Sequence, residues 1–366
     1  MNVDGIPYTS IWTKKTDTKT RVYILDQQKL PFETSILELS SSADAYKAIR
    51  EMQVRGAPLI GVTAAYGLYL AALESHGSSS AIQKQAEKLN TARPTAVNLR
   101  YGIQFVLRQI CESDTDENRI TKTLLAAEKL RTEEIQRSQS IGKFGLPLIH
   151  DLWKKKKSTV NILTHCNAGW LACVDYGTAT APMYMAYDEG IPIHVYVDET
   201  RPRNQGARLT AWELGHHGID HTVIPDNTGG LLMQKGLIDA VIVGSDRTSI
   251  KGDVVNKIGT YLKALAAKEN NIPFYVALPV SSIDFDMTDV FRETTIEQRQ
   301  EHEVRTISGW YRNREVSIQL VPEKSKVANY GFDITPARFV SRLITDKGLI
   351  QAEQKAIELL YKEKNE

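Results

Sequence analysis

The chain has 366 residues, with 45 lysines and arginines against 44 aspartates and glutamates and a formal net charge of +1. Such a balance sets up no large field toward nucleic acid or a membrane surface, so a small-molecule partner is expected. Hydrophobic residues make up 42% and charged residues 24%, an ordinary globular composition, and single cores rarely grow past roughly 250 to 300 residues, so two domains are expected.

Met1–Ser10 has no basic stretch followed by an apolar run, and no uninterrupted apolar segment approaches the roughly 20 residues of a membrane span. A cytoplasmic location is expected. Short strands are predicted in residues 20–40 (RVYILDQQ, SILELS) and a helix in Ser42–Met52, up to a break at Arg55-Gly56-Ala57-Pro58. A second helix follows from Pro58, apolar on most faces, and Ala81–Leu89, Asn98–Ile110 and Ile120–Ser138 carry further helical patterns. The predicted organisation is an N-terminal domain of helices and a small β-sheet over residues 1–130, followed by an α/β domain over residues 131–366.

Beyond the lysine run Lys154–Lys157, which reads as a solvated loop, apolar strands alternate with helices. The predicted strands are Thr159–His165, Ile193–Asp198, His221–Pro225, Ile238–Gly244 and Ile272–Leu278. Strand–helix alternation rich in Val and Ile implies a Rossmann-like parallel sheet covered on both faces. In such a sheet ligands gather beyond the carboxyl ends of the strands. That rule selects Cys166-Asn167, Asp198-Glu199-Thr200-Arg201, Asp226-Asn227 and Ser245-Asp246-Arg247.

No GxG occurs, and Gly142-Lys143 lacks a Walker loop, so nicotinamide and nucleoside triphosphate are disfavoured and no cofactor is expected. Anion sites are available instead. Arg55-Gly56-Ala57 enters a helix with proline near its first turn, Gln205-Gly206 stands at a helix start, and Asn256-Lys257-Ile258-Gly259 reads as opening the helix TYLKALAAK. Together they favour a phosphorylated substrate. His216, His217 and His221 lack the spacing of known metal ligands, so no metal is expected. The three cysteines, Cys111, Cys166 and Cys173, are odd in number and without CxxC spacing, so reduced thiols are expected.

At the level of whole segments the chain resembles the methylthioribose-1-phosphate isomerase family over about Arg21–Ile350. The resemblance is carried by VRGAPLIGVTAAYGL (Val54–Leu68), ARPTAVNL (Ala92–Leu99), HCNAG (His165–Gly169) and VDETRPRNQGARLTAWEL (Val197–Leu214). It continues through VGSDRTSIKGDVVNKIGTY (Val243–Tyr261), IPFYVALPVSSID (Ile272–Asp284) and FDITP (Phe332–Pro336). The family is related to regulatory subunits of a translation-initiation exchange factor and to ribose-1,5-bisphosphate isomerase. Cys166 and Asp246 carry the pair that separates the isomerases from the regulatory subunits.

The resemblance implies aldose–ketose isomerisation of 5-methylthioribose 1-phosphate, with 5-deoxyribose 1-phosphate as a second or alternative sugar, in a homodimer. It implies catalysis by Cys166 and Asp246 and phosphate contacts from Arg55, Gly56, Ala57, Arg93, Gln205, Asn256 and Lys257. An aldose esterified at its anomeric oxygen has no free aldehyde, so its ring must be opened with acid. Asp246 is expected to be that acid, kept protonated in an apolar setting, while Cys166 assists hydrogen transfer between C1 and C2, its thiolate favoured by a cation such as His165. Asp198 and Glu199 are expected to orient arginines.

Overall fold

The computed structural model describes every residue except Thr18, residues 94–96, Glu112 and Glu366, with the backbone alone described for residues 361–365. The chain forms two compact units, residues 1–139 with 169–177 and residues 140–168 with 178–366. The expected boundary at residue 130 lies within the helix Asp116–Lys156, and the excursion of residues 169–177 into the first unit has no counterpart in the sequence pattern.

In the first unit Ile11–Lys15, Thr20–Leu25 and Ile36–Leu39 form an antiparallel sheet. Its apolar residues share a core with Ala57–Glu74, a helix whose residues Leu59–Ala72 are all buried. That helix is long and apolar enough to cross a membrane by composition, but 83% of it is buried inside the unit, which makes it a core helix. Ser41 caps the helix Ser42–Arg50 by accepting from the Asp44 N–H.

The helix Asp116–Lys156 runs for 41 residues, through Gly142, Gly145 and Pro147, where the sequence pattern predicts an end near Ser138. The glycines are packing positions and not stops. A Cβ on Gly142 would lie 2.7 Å from Met185, and one on Gly145 would lie 2.9 Å from Pro182.

The second unit is built on a seven-stranded sheet in the order Gly348–Ile350, Arg342–Thr345, Phe274–Ala277, Ala240–Val243, Val160–Thr164, Ile193–Asp198, His221–Ile224. All pairs are parallel except the edge strand Gly348–Ile350. The five predicted strands are present. Ala240–Val243 is completely buried, as expected for a strand covered on both faces; each of its Val and Ile side chains contributes about 1.5 to 3 kcal/mol. The chain order reverses between Val160–Thr164 and Ala240–Val243, which are neighbours in the sheet. Open α/β sheets bind their ligands beyond the carboxyl ends of such a pair.

Several features were not predicted, among them the sheet strands Arg342–Thr345 and Gly348–Ile350. Ile283–Asp284, Arg247–Ser249, Val254–Lys257 and Phe332–Thr335 form a second, four-stranded sheet, and Thr306–Tyr311 pairs with Arg314–Gln319 as a hairpin.

Candidate active site

Cys166 and Asp246 follow the two strands that flank the reversal of strand order. Cys166 holds left-handed backbone at φ 64°, a conformation that costs a non-glycine residue about 1 to 3 kcal/mol and persists only where the surroundings enforce it. The enforcing contacts are specific. The Cys166 N–H donates to Thr200 Oγ1 at 2.8 Å, and the Cys166 carbonyl accepts from Thr210 Oγ1 at 2.7 Å. Asn167 Nδ2 donates to Thr210 Oγ1 at 3.1 Å and to Glu213 Oε1 at 2.9 Å, while Tyr184 donates to Glu213 Oε2 at 3.0 Å. Glu213 is fully buried, so these donors compensate a carboxylate that has no solvent.

Burial pushes the Cys166 thiol up to about 11, with the Lys257 ammonium and the Asn167 N–H acting against the rise and Asp246 adding to it. At neutral pH Cys166 is therefore a thiol. This corrects the expectation of a favoured thiolate. The cation nearest in effect is Lys257, not His165, whose two ring nitrogens face Asp198 and the Ile258 carbonyl at 2.8 Å each. Burial likewise lowers the Lys257 pKa, opposed by Cys166. Lys257 is 3% exposed; its Nζ donates to the Gly331 carbonyl at 3.1 Å and lies 5.6 Å from the Phe332 ring centroid. Arg299 stands over the same ring at 5.6 Å and opposes the rise at Cys166.

Asp246 is exposed, not in the apolar setting expected of it. Its N–H donates to the Val255 carbonyl at 3.1 Å, which fixes its backbone to the strand Val254–Lys257. Asn256 and Lys257 end that strand and do not open the following helix, which runs Thr260–Glu269 from a left-handed Gly259. Antiparallel pairing of Arg247 with Val255 brings this strand back beside Asp246. Asn256 is 5% exposed and its Nδ2 donates to Thr260 Oγ1 at 3.0 Å.

Gln205 precedes the short turn Gly206–Thr210 and has a buried Oε1 that accepts no hydrogen bond. Only glycine fits beside it, because a Cβ on Gly206 would lie 1.7 Å from the Asp198 carbonyl oxygen. In the first unit, Gly56 precedes the helix Ala57–Glu74 at φ 84°, with proline in the first turn and no side chain capping it. A Cβ there would lie 2.4 Å from Ala172. Arg55 and Arg93 are half-buried, and Pro94, Thr95 and Ala96 of the ARPTAVNL motif lie outside the described residues. Cys166, Asp246 and Lys257 thus come together within the second unit, and Arg55, Gly56 and Ala57 are contiguous in the first.

Asp198 corrects another expectation, since its partners are His165 and Lys263, at 2.8 and 2.9 Å, and not arginine. Glu199 has a pKa raised by burial and by Asp226, with Arg201 acting against the rise. His165, Asp198 and Asp226 present ligand atoms close enough for a metal ion, but the Lys263 ammonium already sits on Asp198. The Asp226 oxygens accept from the Thr200 and Arg201 N–H groups at 2.7 Å. Thr200 is among the strand-end residues that the topology rule selects, though its hold on the Cys166 N–H is not legible there; of the residues that sequence reasoning missed, Thr210 and Glu213 lie inside the VDETRPRNQGARLTAWEL motif. Arg299 and Lys263 carry no local signal.

Fold and site together define an α/β protein whose reactive groups leave adjacent strands at the reversal of a parallel sheet. The model of the initiation factor 2 subunit family matches residues 53–352. The chain is 50% identical over 368 residues to the methylthioribose-1-phosphate isomerase of Desulfatibacillum aliphaticivorans, with 100% of both chains covered. It is 52% identical over 367 residues to that of Methylocella silvestris, covering 100% of this chain and 99% of the relative. Among solved structures, 5-methylthioribose 1-phosphate isomerase from Pyrococcus horikoshii superimposes with a TM-score of 0.85 at 33% identity, covering 98% of this chain and 96% of that one. Subunit delta of the translation initiation factor eIF-2B from A. fulgidus gives a TM-score of 0.81 at 36% identity, covering 96% and 100%. The chain belongs to the initiation factor 2 subunit family and, within it, to the methylthioribose-1-phosphate isomerases.

Proposed function

We propose that this protein interconverts 5-methylthioribose 1-phosphate and 5-methylthioribulose 1-phosphate, an aldose–ketose isomerisation in methionine salvage, and that it also accepts 5-deoxyribose 1-phosphate. One observation carries the reading: a chain half identical to such isomerases over its full length holds Cys166 and Asp246 on the two strands that flank the sheet reversal. Lys257, with Gln205 and Asn256, supplies phosphate contacts in the second unit. For the helix entry at Arg55, Gly56 and Ala57, and for Arg93, the family resemblance is what proposes a phosphate contact.

In the proposed reaction Asp246, exposed in the free protein and protonated once bound substrate shields it from water, gives a proton to the ring oxygen as the bond from that oxygen to C1 breaks, leaving positive charge shared between C1 and its phosphate-bearing oxygen. The hydrogen on C2 moves to C1 with its electron pair, assisted by the Cys166 thiol, which packs against C1 and C2 and keeps them in line, and the C2 hydroxyl returns a proton to Asp246. The product is the isomeric ketose 1-phosphate. A Cys166 thiol pushed up to about 11 supports this hydride route over proton abstraction, which needs a thiolate. The enzyme acts as a cytoplasmic homodimer in this reading.

A coupled assay on both sugars tests it, with wild type beside Cys166→Ser and Asp246→Asn. Wild-type turnover with near-complete loss in folded variants is expected. Substrate deuterated at C2 should deliver its label to C1 of the product. Absence of turnover on either sugar overturns the reading in favour of a non-catalytic subunit, the role raised by the likeness to the translation factor. Full wash-out of deuterium overturns the hydride route alone.

A further inference from the structure

His165 is 1% exposed, the only buried histidine among the described residues. Its Nε2 lies 2.8 Å from the Ile258 carbonyl oxygen, which can only accept, so Nε2 carries a proton. Its Nδ1 lies 2.8 Å from Asp198 Oδ2. That same oxygen receives the Lys263 ammonium at 2.9 Å, which identifies it as a carboxylate oxygen and not as the hydroxyl of a protonated acid. Nδ1 must therefore donate as well. Both ring nitrogens then carry hydrogen, and the ring is a cation enclosed in the protein.

We infer that His165 is held as an imidazolium and acts as a positioning residue for the isomerisation, tying the Cys166 turn to the Lys257 strand end through one buried ion network. The chain neighbours make the connection direct. His165 precedes Cys166, and Ile258 follows Lys257, so the hydrogen bond from Nε2 fixes one backbone against the other. Asp198 ends the strand Ile193–Asp198. Lys263, on the helix Thr260–Glu269, reaches both Asp198 and the Asp226 carbonyl, the latter at 2.7 Å. Three adjacent strand ends and the helix are thereby joined around a single ring.

The charges facing the ring are balanced. Asp198 and Lys263 touch each other, the Asp226 carboxylate is taken up by backbone N–H groups, and Asp333 comes from the second sheet with Oδ2 accepting from Gly259 and Tyr261 at 2.7 and 3.1 Å. Burial raises the Asp333 pKa, and His165 and Lys263 oppose that rise. Cys166, next in the chain, is a thiol at neutral pH. A neutral imidazole, which has one N–H, would leave either the Ile258 carbonyl or Asp198 facing a ring lone pair, so loss of the proton would loosen the link between Cys166 and Lys257.

The role in isomerisation rests on the function proposed above; the charge of the ring does not. The test uses the full-length protein with ¹⁵N-labelled histidine. His165 should show two protonated nitrogens at neutral pH, with slow proton exchange that singles it out among the eight histidines. One neutral tautomer at neutral pH overturns the inference whether or not the enzyme turns over. In the second arm, His165→Gln keeps a donor for the Ile258 carbonyl but cannot serve both partners. Folded His165→Gln should lose about 100-fold in kcat, the scale of a misplacement of about 1 Å in a catalytic group, and inorganic phosphate should inhibit it more weakly than wild type. A folded variant with wild-type kcat overturns the positioning role, and if the variant does not fold the nitrogen spectrum decides the charge by itself.

Discussion

The backbone N–H of Cys166 donates to Thr200 Oγ1 at 2.8 Å, and both residues hold left-handed backbone, at φ 64° and 65°. Two strained residues on adjacent strand ends thus hold each other. Thr200 is fully buried, and its hydroxyl donates in turn to the Asp198 carbonyl at 3.0 Å. The Cys166 sulfur owes its placement to the Thr200 hydroxyl.

Thr200→Val keeps the shape and removes the acceptor. It leaves the Cys166 N–H and the Asp198 carbonyl each short of a partner, which costs about 1 to 3 kcal/mol for an unsatisfied buried group. Denaturant unfolding should show that loss, and kcat should fall while the overall fold, read by circular dichroism, is kept.

Cys166 also sets a pH dependence. Its folded pKa of about 11 stands above the ordinary 9.0, so the folded state holds the proton more tightly than the unfolded chain. This contribution to stability is fully present below about pH 9 and is lost as pH rises to about 11. Cys166→Ala should flatten that part of the stability profile relative to wild type. Alkylation of Cys166 should be slow at neutral pH and accelerate through the same window, whereas the exposed Cys111 should react readily.

Lys257→Met should act on two measurements in a defined direction. Removal of the ammonium removes the largest influence opposing the rise at Cys166, so the alkylation profile should move to still higher pH. Loss of a charged hydrogen-bond donor to phosphate should raise KM by about 10- to 100-fold, from about 1.5 to 3 kcal/mol.

Gly206→Ala places a methyl 1.7 Å from the Asp198 carbonyl oxygen, a distance that only backbone movement can relieve. Overpacking of this kind costs about 1 to 3 kcal/mol or more. A lower melting temperature is expected together with weaker inhibition by inorganic phosphate, because the displaced turn carries Gln205. A wild-type inhibition constant would show that Gln205 takes no part in phosphate binding.

Five of the six parallel strands were legible because each is a short apolar run, rich in Val and Ile, bounded by turn residues. Their carboxyl ends pointed to Cys166 and Asp246 by topology alone. The strand Val254–Lys257 was read as loop and helix entry, because VVNK is too short to carry a period of two and its pairing partners, Arg247–Ser249 and Phe332–Thr335, lie elsewhere in the sequence. The long helix was cut short at Ser138 for a related reason. Gly142 and Gly145 look like stops in isolation and become packing contacts only when Met185 and Pro182 arrive.

The sequence by itself determined the class of fold and the family, and it singled out the residues proposed for the reaction, since local periodicity and long ordered motifs are properties of the chain alone. Only the tertiary structure decided the order of the strands, the protonation of Cys166, the exposure of Asp246 and the burial of His165 between Asp198 and Ile258. These depend on desolvation and on groups far apart in the chain, and a carboxylate, a lysine and a carbonyl act on one imidazole only after folding has brought them within hydrogen-bonding distance.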